Sequence, residues 1–195
     1  MTALDLKTSL RRRVLARRGA LDASELAAAA RGLTEVVLGV PEVVAARCVA
    51  SYVSIGREPG TRHLLDVLAA RGVLVLVPVL LVDGDLDWAE YDSSDALEPA
   101  TRGLLEPTGP RLGVVAVARA DVVLAPALAV DRSGGRLGRG GGSFDRALAR
   151  VQPGALVTAL LHDGELLSPR ERVPVEAHDV PVHAAAEPIG LTRLR

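Results

Sequence analysis

Apolar residues recur at helical spacing through residues 3–18, and basic residues follow the same spacing one position later. The apolar stripe is Leu6, Leu10 and Val14, and the basic stripe is Lys7, Arg11 and Arg18. Because residues three, four and seven apart share a helix face, the pattern predicts a first helix with one apolar and one basic side.

A second helix is expected to begin at Asp22, since an Asp followed by Glu25 three residues later resembles a capping box. Its Ala-rich sequence should end near Gly39 and Pro41, because glycine stops helices and proline cannot continue them. Beyond this point the pattern changes to that of strands.

Apolar runs with the composition of buried strands cover residues 48–54, 73–81, 121–130 and 155–161. Thr61 is placed to cap a helix between the first two runs, which makes a βαβ unit, and Pro78 should end or notch the second strand. Asp83 and Gly84 form a turn signal that predicts an antiparallel strand after it. Residues 93–110, rich in Pro, Gly and polar side chains, are predicted to form an irregular surface connection.

The composition agrees with this alternation of strands and helices. Of 195 residues, 49% are hydrophobic but only 2% aromatic, so the core must consist of Val, Leu and Ala. We therefore predict an α/β fold, a three-layer open and mostly parallel sheet with helices on both faces. The length suits a single domain over 1–195.

Charge and cysteine content limit the partners and the compartment. A formal net charge of −1 argues against nucleic-acid or membrane binding, which would need a basic surplus. The lone Cys48 cannot form an internal disulfide, and the basic N-terminal residues lack the apolar stretch of a signal peptide. We expect a cytoplasmic protein, a monomer, whose partner is a small-molecule substrate.

The segment 131–146, DRSGGRLGRGGGSFDR, carries the clearest chemical signal. Its glycines allow positive φ and bring bare N–H groups close to an anion, and Arg136 and Arg139 add positive charge. The segment follows a predicted strand and precedes a predicted helix, which is where open α/β sheets bind phosphate groups. It is neither a Walker A motif nor a Rossmann fingerprint, because no Lys follows the glycines and Ser143 occupies the place of the last glycine. The alternative is a flexible glycine turn with solvated arginines.

Carboxylates and a lysine could complete a phosphate site. Asp145 and Asp179 are candidate Mg²⁺ ligands, although an ion pair with Arg146 or Arg150, or a turn before Pro181, would also explain them. Lys7 is the only lysine among 23 Lys and Arg residues, as expected if arginine has replaced lysine wherever the two are equivalent. We interpret the remaining lysine as a need for a compact ammonium, with chance as the alternative. Lys7 and Arg11, four residues apart, are expected to reach the same phosphate tail, with a solvated basic face as the alternative.

These residues give the chain a resemblance to the 5-formyltetrahydrofolate cyclo-ligase family, also called 5,10-methenyltetrahydrofolate synthetases. The resemblance covers nearly the whole chain and depends on KTSLR, SYVSIGREPGT, LAPALAVDRSGGRLGRGGGSFDR and VPVEAHDVPVH. It implies a NagB/RpiA/CoA-transferase-like fold. It also implies cyclisation of 5-formyltetrahydrofolate to 5,10-methenyltetrahydrofolate, dependent on ATP and Mg²⁺, through a phosphorylated formyl group.

The resemblance also implies residue roles. The implied ATP contacts are Lys7, Arg11, Arg136, Leu137, Gly138, Arg139, Gly140, Gly141, Gly142, Ser143 and Phe144. The implied folate contacts are Val53, Glu58, Arg139, Gly140, Gly141, Gly142 and Ser143. Lys7 and Arg139 would act in catalysis, and Asp145 and Asp179 would bind Mg²⁺. Ser143 departs from the pair of aromatic residues that usually follows the glycines.

Two other functions remain open on the residues alone. One is a sugar-phosphate isomerase or CoA-transferase relative that binds a substrate phosphate without ATP turnover. The other is a non-catalytic protein that binds nucleotide or folate. Presence of Lys7, Arg11, Asp145 and Asp179 together favours the enzyme, because a binding protein does not need two metal carboxylates.

Overall fold

A computed structural model describes residues 2–176 and 179–194, so Ala177 and His178 of the VPVEAHDVPVH motif lie outside the described residues. The helices are α1 (Ala3–Ala20), α2 (Ala23–Leu38), α3 (Pro41–Ala45), α4 (Arg62–Ala70) and α5 (Ser143–Leu148). Short 3-10 helices cover Ser94–Ala96, Thr101–Gly103 and Val114–Arg119. Every helix within the described residues is too short or too polar to span a membrane.

The strands form one large sheet and two small hairpins. They are β1 (Cys48–Ala50), β2 (Leu74–Leu80), β3 (Leu86–Glu90), β4 (Leu97–Pro99), β5 (Leu105–Pro107), β6 (Val122–Pro126), β7 (Ala129–Val130), β8 (Arg136–Leu137), β9 (Leu156–Leu160), β10 (Ala184–Glu187) and β11 (Gly190–Arg193). The large sheet has the order β11-β10-β9-β6-β1-β2-β3, with β10, β9, β6, β1 and β2 parallel and antiparallel strands at both edges.

Helices cover both faces of this sheet. One core cluster contains side chains from α2 and α4, such as Leu33 and Leu65, together with Val49 of β1. The other contains Ala147 of α5 and Val117 of the third 3-10 helix, together with β1 residues that point the opposite way. Because successive side chains of a strand alternate between faces, the two clusters lie on opposite sides. The predicted α/β fold with a mostly parallel sheet is confirmed.

Helix α1 matches its predicted extent, but its faces differ from the prediction. The buried residues are Lys7, Leu10, Val14 and Arg18, whereas Leu6 is 39% exposed. The apolar and basic stripes are therefore not separate: two basic residues occupy the buried face. The physical reason is that each finds buried or half-buried carboxylate partners on distant segments, which a helical pattern cannot show.

The predicted helix boundaries near α2 and α4 are mostly correct. Asp22 and Glu25 form the capping box, and Gly39 is the C-cap of α2, although the short helix α3 follows at once instead of a strand. Thr61 is the N-cap of α4, but its hydroxyl does not bond the helix. It donates instead to Tyr52 O at 2.7 Å.

Strand β1 is shorter than predicted, and this opens the sheet. In the register of the sheet, its last residue, Ala50, lies beside Leu76 of β2 and Val123 of β6. Beyond that level β2 continues to Leu80 and β6 to Pro126. At a strand rise of about 3.3 Å per residue, the neighbours extend roughly 10 Å past β1. The carboxyl edge of the sheet therefore has a notch, which we call the β1 notch.

Pro78 lies inside β2 and does not end it. The bonds to β3 involve Val75 and Leu81, so alternate residues, including Pro78 and Leu80, turn their backbone nitrogens away from β3. They face the side on which β1 has ended, where a missing N–H costs no ladder bond. Leu80 N–H on this side donates to Glu106 Oε1 at 3.0 Å.

Three other segments extend or correct the predictions. The turn at Asp83 and Gly84 produces the expected β2–β3 hairpin, with Gly84 at φ +81°. Residues 93–110 are not fully irregular, because they contain the β4–β5 hairpin. The run 121–130 is two strands, β6 and β7, and the Pro-rich tail adds the sheet strands β10 and β11, which were not predicted.

Candidate active site

A cavity of about 290 Å³ lies at the β1 notch. Tyr52 and Val53, which follow β1, line it together with Pro78 of β2 and Pro126 of β6. The glycine-rich segment, from Gly138 to Asp145, closes another side. The predicted folate contacts Val53 and Glu58 thus share a cavity with most of the predicted ATP contacts.

The glycine-rich segment has the backbone conformation that its sequence predicts. Gly140 and Gly142 have φ values of +106° and +69°, which side-chain-bearing residues rarely adopt. Arg11 of α1 fixes the segment from outside, because its Nε donates to Gly138 O at 2.9 Å. Asp131 fixes the start: its Oδ1 accepts from Ser133 and Gly135 backbone N–H groups. Burial alone would raise the pKa of Asp131, but hydrogen bonds from the Ser133 hydroxyl, from Val173 N–H and from these two backbone groups hold that pKa below its usual value.

Arg136 and Asp145 form an ion pair on the cavity wall. Arg136 is buried, and it also donates to Pro126 O at 3.0 Å, while its Nε has no hydrogen-bond partner among the described residues. Asp145 had been expected to pair with Arg146 or Arg150 if it had no metal role. That expectation is wrong, because those two arginines contact Asp85.

Arg139 and Glu58 form an ion pair at the edge of the cavity, with Arg139 Nε 3.2 Å from Glu58 Oε1. Glu58 is largely buried, and its other oxygen accepts from Ile55 N–H at 3.0 Å. Arg139 is more than half exposed. The carboxylate of Glu58 is thus fixed by the backbone, and it holds the long side chain of Arg139 at the cavity edge.

Lys7 lies outside the cavity lining, on the buried face of α1. Its Nζ contacts Asp179 Oδ2 at 2.9 Å and Glu176 Oε2 at 3.3 Å. Burial alone would lower the pKa of Lys7, but the two carboxylates raise it above its usual value. The lysine is therefore held charged, one helical turn from Arg11. Asp179 Oδ2 also accepts from the Glu176 backbone N–H at 2.8 Å, a bond to a preceding residue that is distinct from a turn before Pro181.

Two predicted ATP contacts have side chains that also belong to the core. Leu137 is 1% exposed and packs with Leu10 and Val14, so only its backbone is available to a ligand. Phe144 lines the cavity and meets Trp88 edge to face, with ring centroids 6.4 Å apart. Ser143, the first residue of α5, lines the cavity as well.

An apolar wall opposite the glycine-rich segment was not predicted from the sequence. It is formed by residues of β2, β3 and the β4–β5 hairpin, namely Leu80, Leu86, Leu104 and Leu105. Arg18 at the far end of α1 was also missed as a cavity residue. The adjacent pair Leu104–Leu105, in an otherwise polar segment, is the one signal that could have identified this wall.

Carboxylate oxygens are the protein ligands that Mg²⁺ prefers, and few of them lie at the cavity. No group of three or more His, Cys, Asp or Glu side chains within 2–176 and 179–194 is arranged to hold a metal ion. Asp145 lines the cavity, whereas Asp179 contacts Lys7 and is not part of the lining. Because Mg²⁺ is commonly held by one or two carboxylates with the substrate's phosphates and waters, the residues fit an ion bound through Asp145 and a polyphosphate.

Polar and apolar walls together define what the cavity can accept. The glycine-rich segment with Arg136 and Arg139 suits phosphate groups, and the leucine wall suits a flat apolar ring system. A ligand pair with these two characters would meet between the walls. The arrangement is suited to group transfer between a polyphosphate and a heterocycle.

Comparisons with known proteins agree with these features. A family model described as the 5-formyltetrahydrofolate cyclo-ligase family matches residues 4–188. A 5-formyltetrahydrofolate cyclo-ligase of Mycolicibacterium smegmatis is 42% identical over 158 residues, covering 78% of this chain and 79% of the relative. The protein of that name from Escherichia coli K12 is 34% identical over 155 residues, covering 76% and 81%.

Solved structures give the same result for the fold. The NMR structure of the Aquifex aeolicus 5,10-methenyltetrahydrofolate synthetase matches with a TM-score of 0.82 at 27% identity, covering 97% of this chain and 93% of that chain. A Mycoplasma pneumoniae 5,10-methenyltetrahydrofolate synthetase has a TM-score of 0.70 at 16% identity, covering 92% and 97%, and shares the fold. The resemblance inferred from the sequence motifs is confirmed.

Proposed function

The chain belongs to the 5-formyltetrahydrofolate cyclo-ligase family, and from that premise we propose that it converts 5-formyltetrahydrofolate to 5,10-methenyltetrahydrofolate with ATP and Mg²⁺. It is an enzyme of the ligase class that acts in folate one-carbon metabolism. The observation that best supports the full reaction is the cavity at the β1 notch, with a phosphate-suited wall facing an apolar one.

The proposed chemistry takes place in two transfers. The formyl oxygen attacks the γ-phosphorus of ATP, and the bond from that phosphorus to the bridging oxygen breaks to release ADP. The lone pair of N10 then attacks the formyl carbon, N10 loses its proton to solvent water, and the carbon–oxygen bond to phosphate breaks. Phosphorylation is needed because a formamide oxygen is a poor leaving group. The products are 5,10-methenyltetrahydrofolate, ADP and phosphate.

ATP is proposed to lie along the glycine-rich segment, with Arg136 and Arg139 at its phosphates. The unpaired, buried Nε of Arg136 supports this proposal, because a buried donor without an acceptor is rare in native proteins. Arg139 is the proposed catalytic arginine: its exposed guanidinium can neutralise charge that develops on the transferred phosphoryl group. Since phosphoryl transfer depends mainly on positioning and charge, no general base is required.

Lys7 is proposed as the second catalytic cation, acting with Arg11. Support comes from α1, on which Arg11 contacts Gly138 O while Lys7, one turn away, is held charged by Asp179 and Glu176. A nucleotide that extends beyond the cavity along α1 would meet both side chains. We further propose that Mg²⁺ binds Asp145 together with the phosphates of ATP, while Asp179 holds Lys7; the ion would neutralise phosphate charge during the transfer.

The folate ring system is proposed to lie on the leucine wall, with Val53 and Glu58 beside it. Glu58 is suited to accept hydrogen bonds from a pterin, because Ile55 N–H fixes one of its oxygens while the other lies at the cavity edge beside the exposed Arg139. Ser143 would face both substrates from the start of α5. Its small side chain leaves open space where an aromatic residue would close over the pterin.

An absorbance assay for 5,10-methenyltetrahydrofolate tests the proposal. Purified protein should form the product from 5-formyltetrahydrofolate only when ATP and Mg²⁺ are both present, with one ADP released per product. Folded protein that forms no product would refute the proposed reaction. Binding of either substrate without turnover would then indicate a binding protein, and turnover of a sugar phosphate without ATP would indicate an isomerase relative.

Two variants test the residue roles. Lys7→Arg should lower kcat/KM for ATP by about tenfold or more, because a planar guanidinium cannot replace the compact ammonium between two carboxylates. Asp145→Asn should raise the Mg²⁺ concentration needed for half-maximal rate. The exposed Arg170 provides a control, since Arg170→Ala should leave both values unchanged. Wild-type ATP kinetics in Lys7→Arg, or a wild-type Mg²⁺ response in Asp145→Asn, would contradict the corresponding role.

A further inference from the structure

Four arginines line the cavity, and one of them differs from the others. Arg18, Arg136 and Arg139 are paired with Glu165, Asp145 and Glu58, respectively. Arg102 has no carboxylate partner among the described residues, and it is exposed. Among the residues that the structure describes, this is therefore the one cavity arginine whose charge no carboxylate pairs with.

The backbone of Arg102 is held in a conformation that its side chain disfavours. It has φ 58° and ψ 23°, and within residues 2–176 and 179–194 it is the one non-glycine residue with positive φ. The conformation is imposed by the β4–β5 hairpin, in which Ala100 N–H donates to Leu104 O at 2.9 Å. Non-glycine residues in this region cost on the order of 1 kcal/mol and concentrate at functional sites. The hairpin thus fixes where this guanidinium begins.

Arg102 belongs to the apolar side of the cavity and not to the phosphate side. Its neighbours Leu104 and Leu105 form part of the leucine wall, while the glycine-rich segment already has the cations Arg136 and Arg139. The hairpin itself is attached to β2 through Glu106, which accepts from Leu80 N–H. If one end of an elongated ligand lies on the leucine wall, its other end can therefore reach Arg102.

We propose that Arg102 binds a carboxylate of the glutamate moiety of the folate substrate, and that it makes the enzyme prefer folates with this moiety over those without it. The inference depends on the proposed function, since it assumes that a reduced folate is the substrate. A folate has a flat apolar ring system at one end and carboxylates at the other. This polarity matches a wall that is leucine-lined and ends in an unpaired guanidinium.

The test uses Arg102→Gly, because glycine removes the guanidinium and adopts positive φ without strain. The variant should therefore be folded and at least as stable as the wild type. We expect its KM for 5-formyltetrahydrofolate to rise about threefold to tenfold, as for loss of a partly exposed charge pair, with kcat and the KM for ATP unchanged. Arg102→Lys should recover part of the loss, and Arg170→Ala is the distant control.

A substrate without the glutamate carboxylates, the N-methyl amide of 5-formyltetrahydropteroate, completes the design, because its neutral amide keeps the ring systems and offers no carboxylate to Arg102. Wild type and Arg102→Gly should have equal KM values for this compound. Equal KM values of the two proteins for 5-formyltetrahydrofolate, or an equal increase for both folate compounds, would overturn the proposal. An increase confined to the KM for ATP would overturn it as well and would assign Arg102 to a phosphate.

Direct binding measurements distinguish a failure of this inference from a failure of the proposed function. Calorimetric titration with 5-formyltetrahydrofolate in the absence of ATP reports binding whether or not turnover occurs. Absence of turnover with binding weakened in Arg102→Gly would refute the proposed reaction but support the role of Arg102. Normal turnover with unchanged binding in Arg102→Gly would refute only the role of Arg102. A wild type that neither turns over nor binds the folate would refute both.

Discussion

Replacing Arg18 by methionine should destabilise the protein more than any loss of a surface charge. Arg18 and Glu165 are 4% and 3% exposed at their side chains and form a two-pronged ion pair, with both N···O distances 2.7 Å. Arg18 also donates to Ala127 O at 2.7 Å. Methionine keeps most of the side-chain volume of Arg18 but has no N–H groups. The Glu165 carboxylate and Ala127 O would therefore stay buried without their hydrogen-bond donor.

The magnitude follows from what remains unpaired. Breaking a buried pair by removal of one partner costs about 3–5 kcal/mol, and for a chain of this size each kcal/mol lowers Tm by about 2–4 °C. We therefore expect Arg18→Met to lower Tm by about 6–20 °C. Glu165 Oε2 also accepts from His162 N–H at 2.9 Å, so Glu165→Gln keeps an acceptor there while it removes the charge. The double variant should be more stable than Arg18→Met alone.

The assay is equilibrium unfolding in denaturant, combined with thermal scans, for the two single variants and the double variant. Arg13→Met is the matched control, because Arg13 pairs with Glu171 at 2.8 Å on the same helix with both side chains exposed. Its unfolding curve should overlay that of the wild type. An Arg18→Met variant within about 1 kcal/mol of wild type, or a double variant no more stable than Arg18→Met, would refute the reasoning.

Three further predictions concern groups away from the cavity centre. Burial lowers the pKa of His162, so the unfolded chain takes up a proton that the folded chain excludes, and the free energy of unfolding should fall as pH drops below about 6.5. Unfolding curves of His162→Gln should show a smaller fall than wild type, whereas the exposed His63→Gln should match wild type. Burial raises the pKa of Cys48 to about 11, so a maleimide at pH 8 should react with it only as fast as the protein unfolds; rapid labelling of native protein would contradict this. Gly134→Ala should lower stability by roughly 1–3 kcal/mol, because Gly134 has φ +88° and an added Cβ would lie 2.5 Å from a backbone oxygen, while Gly39→Ala should have little effect; similar unfolding midpoints for both would count against it.

Local signals in the sequence predicted local structure well. The capping box at Asp22, the turn at Gly84 and the positive φ of Gly140 each depend on residues within a few positions of one another. The β4–β5 hairpin was missed because its strands are Leu97–Pro99 and Leu105–Pro107, too short for a periodic pattern.

Long-range partners account for most of what the sequence could not predict about the site. Arg18 and Glu165 are 147 positions apart, and Lys7 and Asp179 are 172 apart. A helical pattern places Lys7 and Arg18 on a basic stripe. The structure shows that both are buried, because each pairs with a carboxylate from the second half of the chain. The family motifs identified the residues of the site, but their pairings depend on tertiary packing.

The β1 notch also changes how backbone hydrogen bonds are satisfied around the cavity. Where a longer central strand would supply donors and acceptors, side chains do so instead: Glu106 accepts from Leu80 N–H, and Arg136 donates to Pro126 O. These side chains act as substitutes for missing peptide groups. Arg136 is also a cavity residue, so its substitution would remove both a wall of the cavity and the partner of a β6 carbonyl. At this position the requirements of folding and of ligand binding therefore coincide.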